Sequence, residues 1–291
     1  MYVKANKNIM TFGQSATLLT VDGYGIAEYA ARTAYQSFDS SENKIVRDMP
    51  IVIEDSGSET FKASLTKLDK IKYSKLLEDL VWAHHHESIL EHIIARYHII
   101  TNRGVLQEWS RTRIGMSQTV QSSRYTMSKV INAYCAFQYA GTGMIGAFTD
   151  KCLSFDMLAI EDEEMQIAHF RNIYDQLALA QRNNVFSIND ILVKSSIAHL
   201  EDIKGSNFED IFVYLENQKK KRNAGDKIKF IVSDIWKVEL VTTFNLRGLK
   251  TMYGLRASGA AWEPYRLLAE EMYSVLPEKY QRLIVKPRKE Q

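Results

Sequence analysis

Three stretches of the chain concentrate polar, ligand-capable side chains at points where an apolar pattern is interrupted. The first, residues 84–92, holds His84, His85, His86, Glu87, Ser88, Glu91 and His92. Imidazoles and carboxylates are metal ligands, but this spacing does not put the required set on one helical face as His-Glu-x-x-His does. No metal is therefore expected. A helix C-terminus accounts for the same residues, because His side chains favour the negative end of the dipole while Ser88 and Glu91 open the next segment. The second stretch, residues 107–125, brackets a loop of hydroxyl and amide side chains, among them Gln121, Ser122 and Ser123, with Arg111, Arg113 and Arg124. Guanidinium forks and hydroxyl donors with few carboxylates nearby can hold a phosphate and the edge of a heterocycle. An arginine-rich surface turn has the same composition, so the residues alone leave both readings open. In the third, Asn245-Leu246-Arg247 and then Gly254-Leu255-Arg256-Ala257-Ser258-Gly259 again set arginine beside small residues, which permit close ligand approach.

The elements that must position these groups are read from periodicity. Residues 8–22 read as short extended runs and 24–37 as a helix with Ala27, Ala30, Ala31 and Ala34 on its apolar side. Residues 38–70 lose periodicity and read as a mobile surface connection. Helical spacing returns over 71–85, with Leu76, Leu77, Leu80 and Val81 on one face, and 91–102 alternates as a strand. A helix over 104–113 then feeds a polar loop over 114–125. A long amphipathic helix spans 159–182, with Asn183-Asn184 ending it, and 187–222 is a charged, partly helical insertion closing on Lys219-Lys220-Lys221-Arg222. Residues 230–244, 249–255 and 262–275 read as three further helices, and Pro277 breaks the last.

Composition narrows the function. With 37 Lys and Arg against 35 Asp and Glu, the net charge of +2 supplies no global field towards nucleic acid or an anionic membrane, so any anion site is local. The Lys219–Arg222 run reads as a solvated loop. At 45% hydrophobic residues with 4 Pro and 14 Gly the chain is globular, a single domain over 1–291 carrying the insertion. Cys135 and Cys152 are too few for a disulfide framework and suit a reducing compartment. No secretory leader and no apolar run near 18 residues is evident, so a cytoplasmic protein off the membrane is expected.

Taken in order, the three stretches resemble the flavin-dependent thymidylate synthases. That family's Arg-His-Arg, Ser, Arg-Tyr signature is similar to Arg111-Thr112-Arg113, Ser122 and Arg124-Tyr125, with an interval one residue longer here. A His-to-Glu-His island at 86–92, Ala30-Ala31-Arg32, Asn245-x-Arg247, Leu255-Arg256 and Trp262-Glu263 follow the family's order as well. The likeness covers roughly 24–127 and 230–272. It departs at Thr112, which replaces the signature His, at Thr251 in place of Asn, and at Lys229 and Ser233, which stand where the family has a phosphate-binding Arg and a Pro.

The resemblance implies an α+β fold with helices packed on an antiparallel sheet, assembled as a homotetramer whose sites draw on several subunits. It also implies reductive methylation of C5 of dUMP, with methylenetetrahydrofolate as carbon donor and NADPH as reductant through FAD. Arg256 would be the catalytic group, binding the pyrimidine edge. Ser88, Arg111, Thr112, Arg113, Asn245, Arg247 and Thr251 would hold FAD. His86, Glu108, Arg111, Gln121, Ser122, Ser123, Arg124 and Lys229 would meet the nucleotide and its opening. The departures keep two alternatives in view: a relative modifying C5 of another pyrimidine nucleotide, for example by hydroxymethylation, and a non-catalytic nucleotide- or RNA-binding protein.

Overall fold

A computed structural model of the chain describes residues 13–54, 56–141, 145–218 and 224–287, without the side chains of Arg124, Tyr125, Ile191, Ala224 and Gly225. In chain order the elements are β1 (Ser15–Asp22), α1 (Tyr24–Tyr35), α2 (Lys44–Glu54), α3 (Glu59–Leu68), α4 (Lys75–Trp82), a 3-10 turn (Glu87–His92), β2 (Ile94–Asn102), α5 (Arg103–Trp109) and β3 (Met116–Val120). Then follow α6 (Ser123–Ala140), α7 (Gly146–Leu153), α8 (Glu163–Arg182), α9 (Ile188–Ile191), α10 (Lys194–Asp202), α11 (Phe208–Asn217) and α12 (Ala224–Lys227). A 3-10 turn (Lys229–Ile231), β4 (Lys237–Asn245), α13 (Leu246–Arg256), α14 (Glu263–Ser274) and α15 (Glu278–Ile284) complete it.

The four strands form one antiparallel sheet in the order β1-β2-β4-β3. Alternation explains why these segments are strands: Ala95, Tyr97 and Ile99 of β2 and Val238, Leu240, Thr242 and Phe244 of β4 are buried, while their neighbours point to the other face. Against the buried face pack α1, α4, α13, α14 and α15. This first core joins Tyr24, Tyr97, Trp109, Phe244 and Tyr265, drawn from both ends of the chain. A second core gathers α6, α7, α8 and α11 around Phe148, Phe170, Leu177, Phe212 and Trp236. No described helix is long and apolar enough to cross a membrane.

The α+β class with an antiparallel sheet agrees with the expectation, and so do α8, ended at Asn183, α13 and α14. Three expectations are corrected. Residues 230–244 are not a helix: they hold the end of the Lys229–Ile231 3-10 turn and most of β4, where burial recurs every second residue. Residues 38–70 are not a loose connection, since α2 and α3 bury Val46, Met49 and Leu68. Residues 114–125 contain β3, a polar edge strand that pairs with β4. The stretch 187–222 supplies α9, α10 and α11, whose Leu200, Ile211, Phe212 and Leu215 share the second core with α6 and α8. Its Lys219–Arg222 run lies outside the described residues.

Candidate active site

Two chain segments meet where β3 and β4 begin and end. Gly115 has a φ of +70°, a left-handed conformation, and a Cβ there would lie 2.3 Å from Asn245 Oδ1. Only glycine removes both problems at once. The carbonyl of Gly115 accepts from the Asn245 amide at 2.8 Å, and Asn245 Oδ1 caps α13 by accepting from Gly248 N at 2.8 Å. The 111–115 loop is thereby fastened to the N-terminus of α13.

Between these segments lies a cleft of about 820 Å³, within the usual range for small-molecule sites. Arg111, Thr112 and Arg113 line one wall. Asn245, at the N-cap of α13, and Arg247, Thr251 and Arg256 along that helix line the other. Ile114, Met252 and Leu255 supply apolar surface, and Glu91 closes one edge. Glu91 holds Arg247 at 2.6 Å. Arg113 has no carboxylate partner among the described residues.

The deep end is organised around Arg256, whose side chain is 23% exposed. Its guanidinium lies 3.3 Å from Glu108, which also pairs with Arg111 at 3.1 Å. It sits over the ring of Tyr265 at 4.8 Å. Tyr265 in turn stacks on Trp109, with ring centroids 5.6 Å apart. Burial raises the Tyr265 phenol above the usual tyrosine range, while Thr112 and Arg256 pull it the other way. That hydroxyl is buried and lacks a hydrogen-bond partner of good geometry.

The structure therefore brings together six of the seven residues expected at the flavin, together with Arg256. Ser88, the seventh, is exposed one 3-10 turn from Glu91, on the same side of that turn. His86 precedes the turn and is exposed. No described group of three or more His, Cys, Asp or Glu side chains is arranged to hold a metal. Gln121, Ser122 and Ser123 lie beyond the far end of β3, a strand of five residues and so about 17 Å long. Ser122 stands at the N-cap of α6 without a side-chain cap bond, and Gln121 borders a separate depression with Thr126, Lys129 and Trp236. The side chain of Arg124 is outside the described ones. Lys229 is exposed in its own 3-10 turn, and Ser233 bonds His169 at 2.9 Å.

Sequence reasoning missed Glu91, Ile114, Gly115, Gly248 and Leu255 as cleft residues, and Tyr265 beneath them. Gly115 carried a usable signal, a lone glycine after an arginine pair. Tyr265 carried none, since it reads as one more apolar position of an amphipathic helix.

The family model described as thymidylate synthase complementing protein matches residues 18–280. The chain belongs to that family. Within the thymidylate synthase complementing proteins, the flavin-dependent thymidylate synthase of Campylobacter jejuni is 24% identical over 265 residues, 91% of this chain and 92% of that protein. The enzyme of the same name from Wolinella succinogenes is 24% identical over 270 residues, 92% and 96% of the two chains. Thymidylate synthase X of Helicobacter pylori, crystallised with FAD and dUMP, shares the fold with a TM-score of 0.56 at 20% identity, over 93% of this chain and 97% of that one.

Proposed function

We propose that this chain methylates C5 of dUMP reductively to give dTMP, taking the carbon from methylenetetrahydrofolate and reducing equivalents from NADPH through FAD. The observation that carries the reading is the convergence of Arg111, Arg113, Arg247 and Arg256 with Asn245 and Thr251 on one cleft, in a chain of this family. Family membership and the names of the relatives favour this over both a hydroxymethylating relative and a non-catalytic RNA-binding protein.

The donor set fits FAD. Arg111, Arg113 and Arg247 offer forked donors to a pyrophosphate, Thr112, Asn245 and Thr251 are small and polar, and Ile114 and Leu255 suit a flat ring. Ser88, on the Glu91 side, would extend that cradle. When bound, FAD supplies hydride chemistry that no side chain can.

The chain's own contribution is orientation and charge. Arg256, gripped by Glu108 and Tyr265, keeps further N–H donors for a pyrimidine edge, where it stabilises negative charge and raises the nucleophilicity of C5. A preorganised donor of this kind is worth about 10²- to 10³-fold in rate. Glu108 fixes Arg111 and Arg256 together and so aligns both walls. Neither cysteine offers a thiolate to C6, because burial pushes Cys135 up to about 12 and Cys152 higher still.

Ser122, Ser123 and Arg124 at the N-terminus of α6, with Gln121, would take the nucleotide phosphate. They lie about a strand's length from Arg256 in the same chain, so one site needs the Ser122 end of a second copy. A homotetramer supplies it. The exposure of Ile114 (84%) and Leu255 (66%) on the cleft supports such a neighbour. His86 would line the folate opening and Lys229 would add a cation to the phosphate end. The chain would act as a single domain in the cytoplasm, as its two buried free thiols suit.

Purified protein incubated with dUMP, methylenetetrahydrofolate and NADPH should be yellow, or become so with FAD, and should yield dTMP by mass spectrometry. A product carrying the mass of a hydroxymethyl group, or no product from a yellow preparation, overturns the proposal.

A further inference from the structure

Among the described residues, Arg256 is the one arginine of the cleft that lies over an aromatic ring, and that ring is unusual. Tyr265 is 1% exposed, yet its hydroxyl has no hydrogen-bond partner of good geometry in a core where buried polar groups are ordinarily paired. Its position follows from α14, whose first turn contains Pro264 and points Tyr265 into the sheet core beside Leu268 and Ala269. The ring is fixed from behind by Trp109 at 5.6 Å, and Trp109 meets Phe244 of β4 at the same distance. Its free face carries the Arg256 guanidinium at 4.8 Å. The polar groups facing its hydroxyl are Thr112 and Arg256, both cleft residues, and the carboxylate of Glu108 acts on it as well. A phenylalanine would fill the same core without an orphaned oxygen.

We infer that Tyr265 is a positioning residue for Arg256: its ring sets the plane of the guanidinium, and its hydroxyl, with that of Thr112, completes the hold when a nucleotide base occupies the cleft. This rests on the proposed reading of the cleft as a pyrimidine site. The arrangement also gives Thr112 a task its short side chain can perform, since it stands just after α5 and acts on the phenol. A guanidinium lying on a desolvated ring is restrained in tilt as well as in position. The carboxylate of Glu108 restrains it at one point only, so without the ring the guanidinium can rotate about that contact and lose its fixed plane.

The test uses the full-length protein and two variants, Tyr265→Phe and Tyr265→Leu, with three readouts. These are FAD affinity from the flavin absorbance, dUMP affinity from its perturbation of that spectrum, and phenylglyoxal labelling of Arg256 read by peptide mass. Y265L should leave FAD affinity unchanged, weaken dUMP by about 3- to 10-fold, the range of a partly desolvated cation–π contact, and label Arg256 several-fold faster. Y265F should label Arg256 at the parental rate but still bind dUMP about 3-fold more weakly, since only the hydroxyl is lost. Its melting temperature should match or exceed the parent's, which separates the effect from misfolding. Parental dUMP affinity in both variants overturns the inference, as does parental Arg256 labelling in Y265L. If the parent binds no dUMP, the reading of the cleft fails, and the labelling rates alone still decide whether Tyr265 holds Arg256.

Discussion

The sheet half and the helical half of the molecule are both closed by apolar cores, but they are assembled differently. The helical core is drawn from one unbroken span, Met127 to Trp236. The sheet core needs residues 16–109 and 240–284 together, and the cleft sits on that seam, where Glu91 meets Arg247 across 156 residues of sequence. Charges destined for one ligand can thus be kept far apart in the chain and brought together only in the folded state. The helical half contributes no described residue to the arginine cleft; it frames the Ser122 end of β3.

If the division of labour is real, damage to the helical core should lower stability and spare flavin binding. Phe170→Ala, at a side chain 1% exposed on α8, should destabilise by about 3–5 kcal/mol. FAD affinity of the folded protein, measured well below its melting temperature, should remain parental; a matching loss of affinity would erase the distinction. Arg256→Ala makes the reverse cut, with turnover down about 10²- to 10³-fold while the flavin spectrum and melting temperature hold. Methylation at the parental rate in that variant would show the pyrimidine site to be elsewhere.

Gly115→Ala strikes the seam itself and should do both kinds of harm. A positive φ and a Cβ 2.3 Å from Asn245 Oδ1 together should cost about 1–3 kcal/mol. FAD titration should show weaker binding alongside the lower melting temperature, and normal values for both would mean that the loop is not fastened to α13. The smallest effect belongs to His169 in the helical half. Burial lowers its pKa below 6.5, so as pH falls through 6.5 the unfolded chain takes up a proton that the folded chain refuses. Stability is lost below that pH and unaffected above it. His169→Gln should flatten the melting temperature between about pH 7 and 5, and an unchanged slope would assign the dependence to other groups.

How much of this was legible in the sequence also divides along the seam. Helices α8, α13 and α14 announce themselves because one buried stripe recurs at helical spacing and caps or proline mark their ends. β4 hides because exposed Val241 and buried Thr242 break the correspondence between polarity and burial, so the alternation is blurred in its residue types. β3 hides because it is short and only Met116 and Val120, half-buried against the first core, mark its inner face among Ser, Gln and Thr. Arg111, Arg113, Asn245, Arg247 and Arg256 could be singled out from residue type and spacing. The pairing of Glu91 with Arg247 and of Tyr265 with Arg256 could not, because contact across the seam is a property of the three-dimensional arrangement; Glu91 stands out only as a member of the 84–92 stretch, and Tyr265 reads as an ordinary core aromatic.

The bond from the Asn245 amide to the Gly115 carbonyl, and the near contact of Gly248 with the carbonyl of Ile114, make the inner walls a single rigid jaw. On the proposed reading, a ligand with a larger group would therefore gain no room by prying the 111–115 loop away from α13. Any widening of the cleft would have to come from the outer lip at exposed Leu255, where a side chain can be shortened without unfastening the two walls.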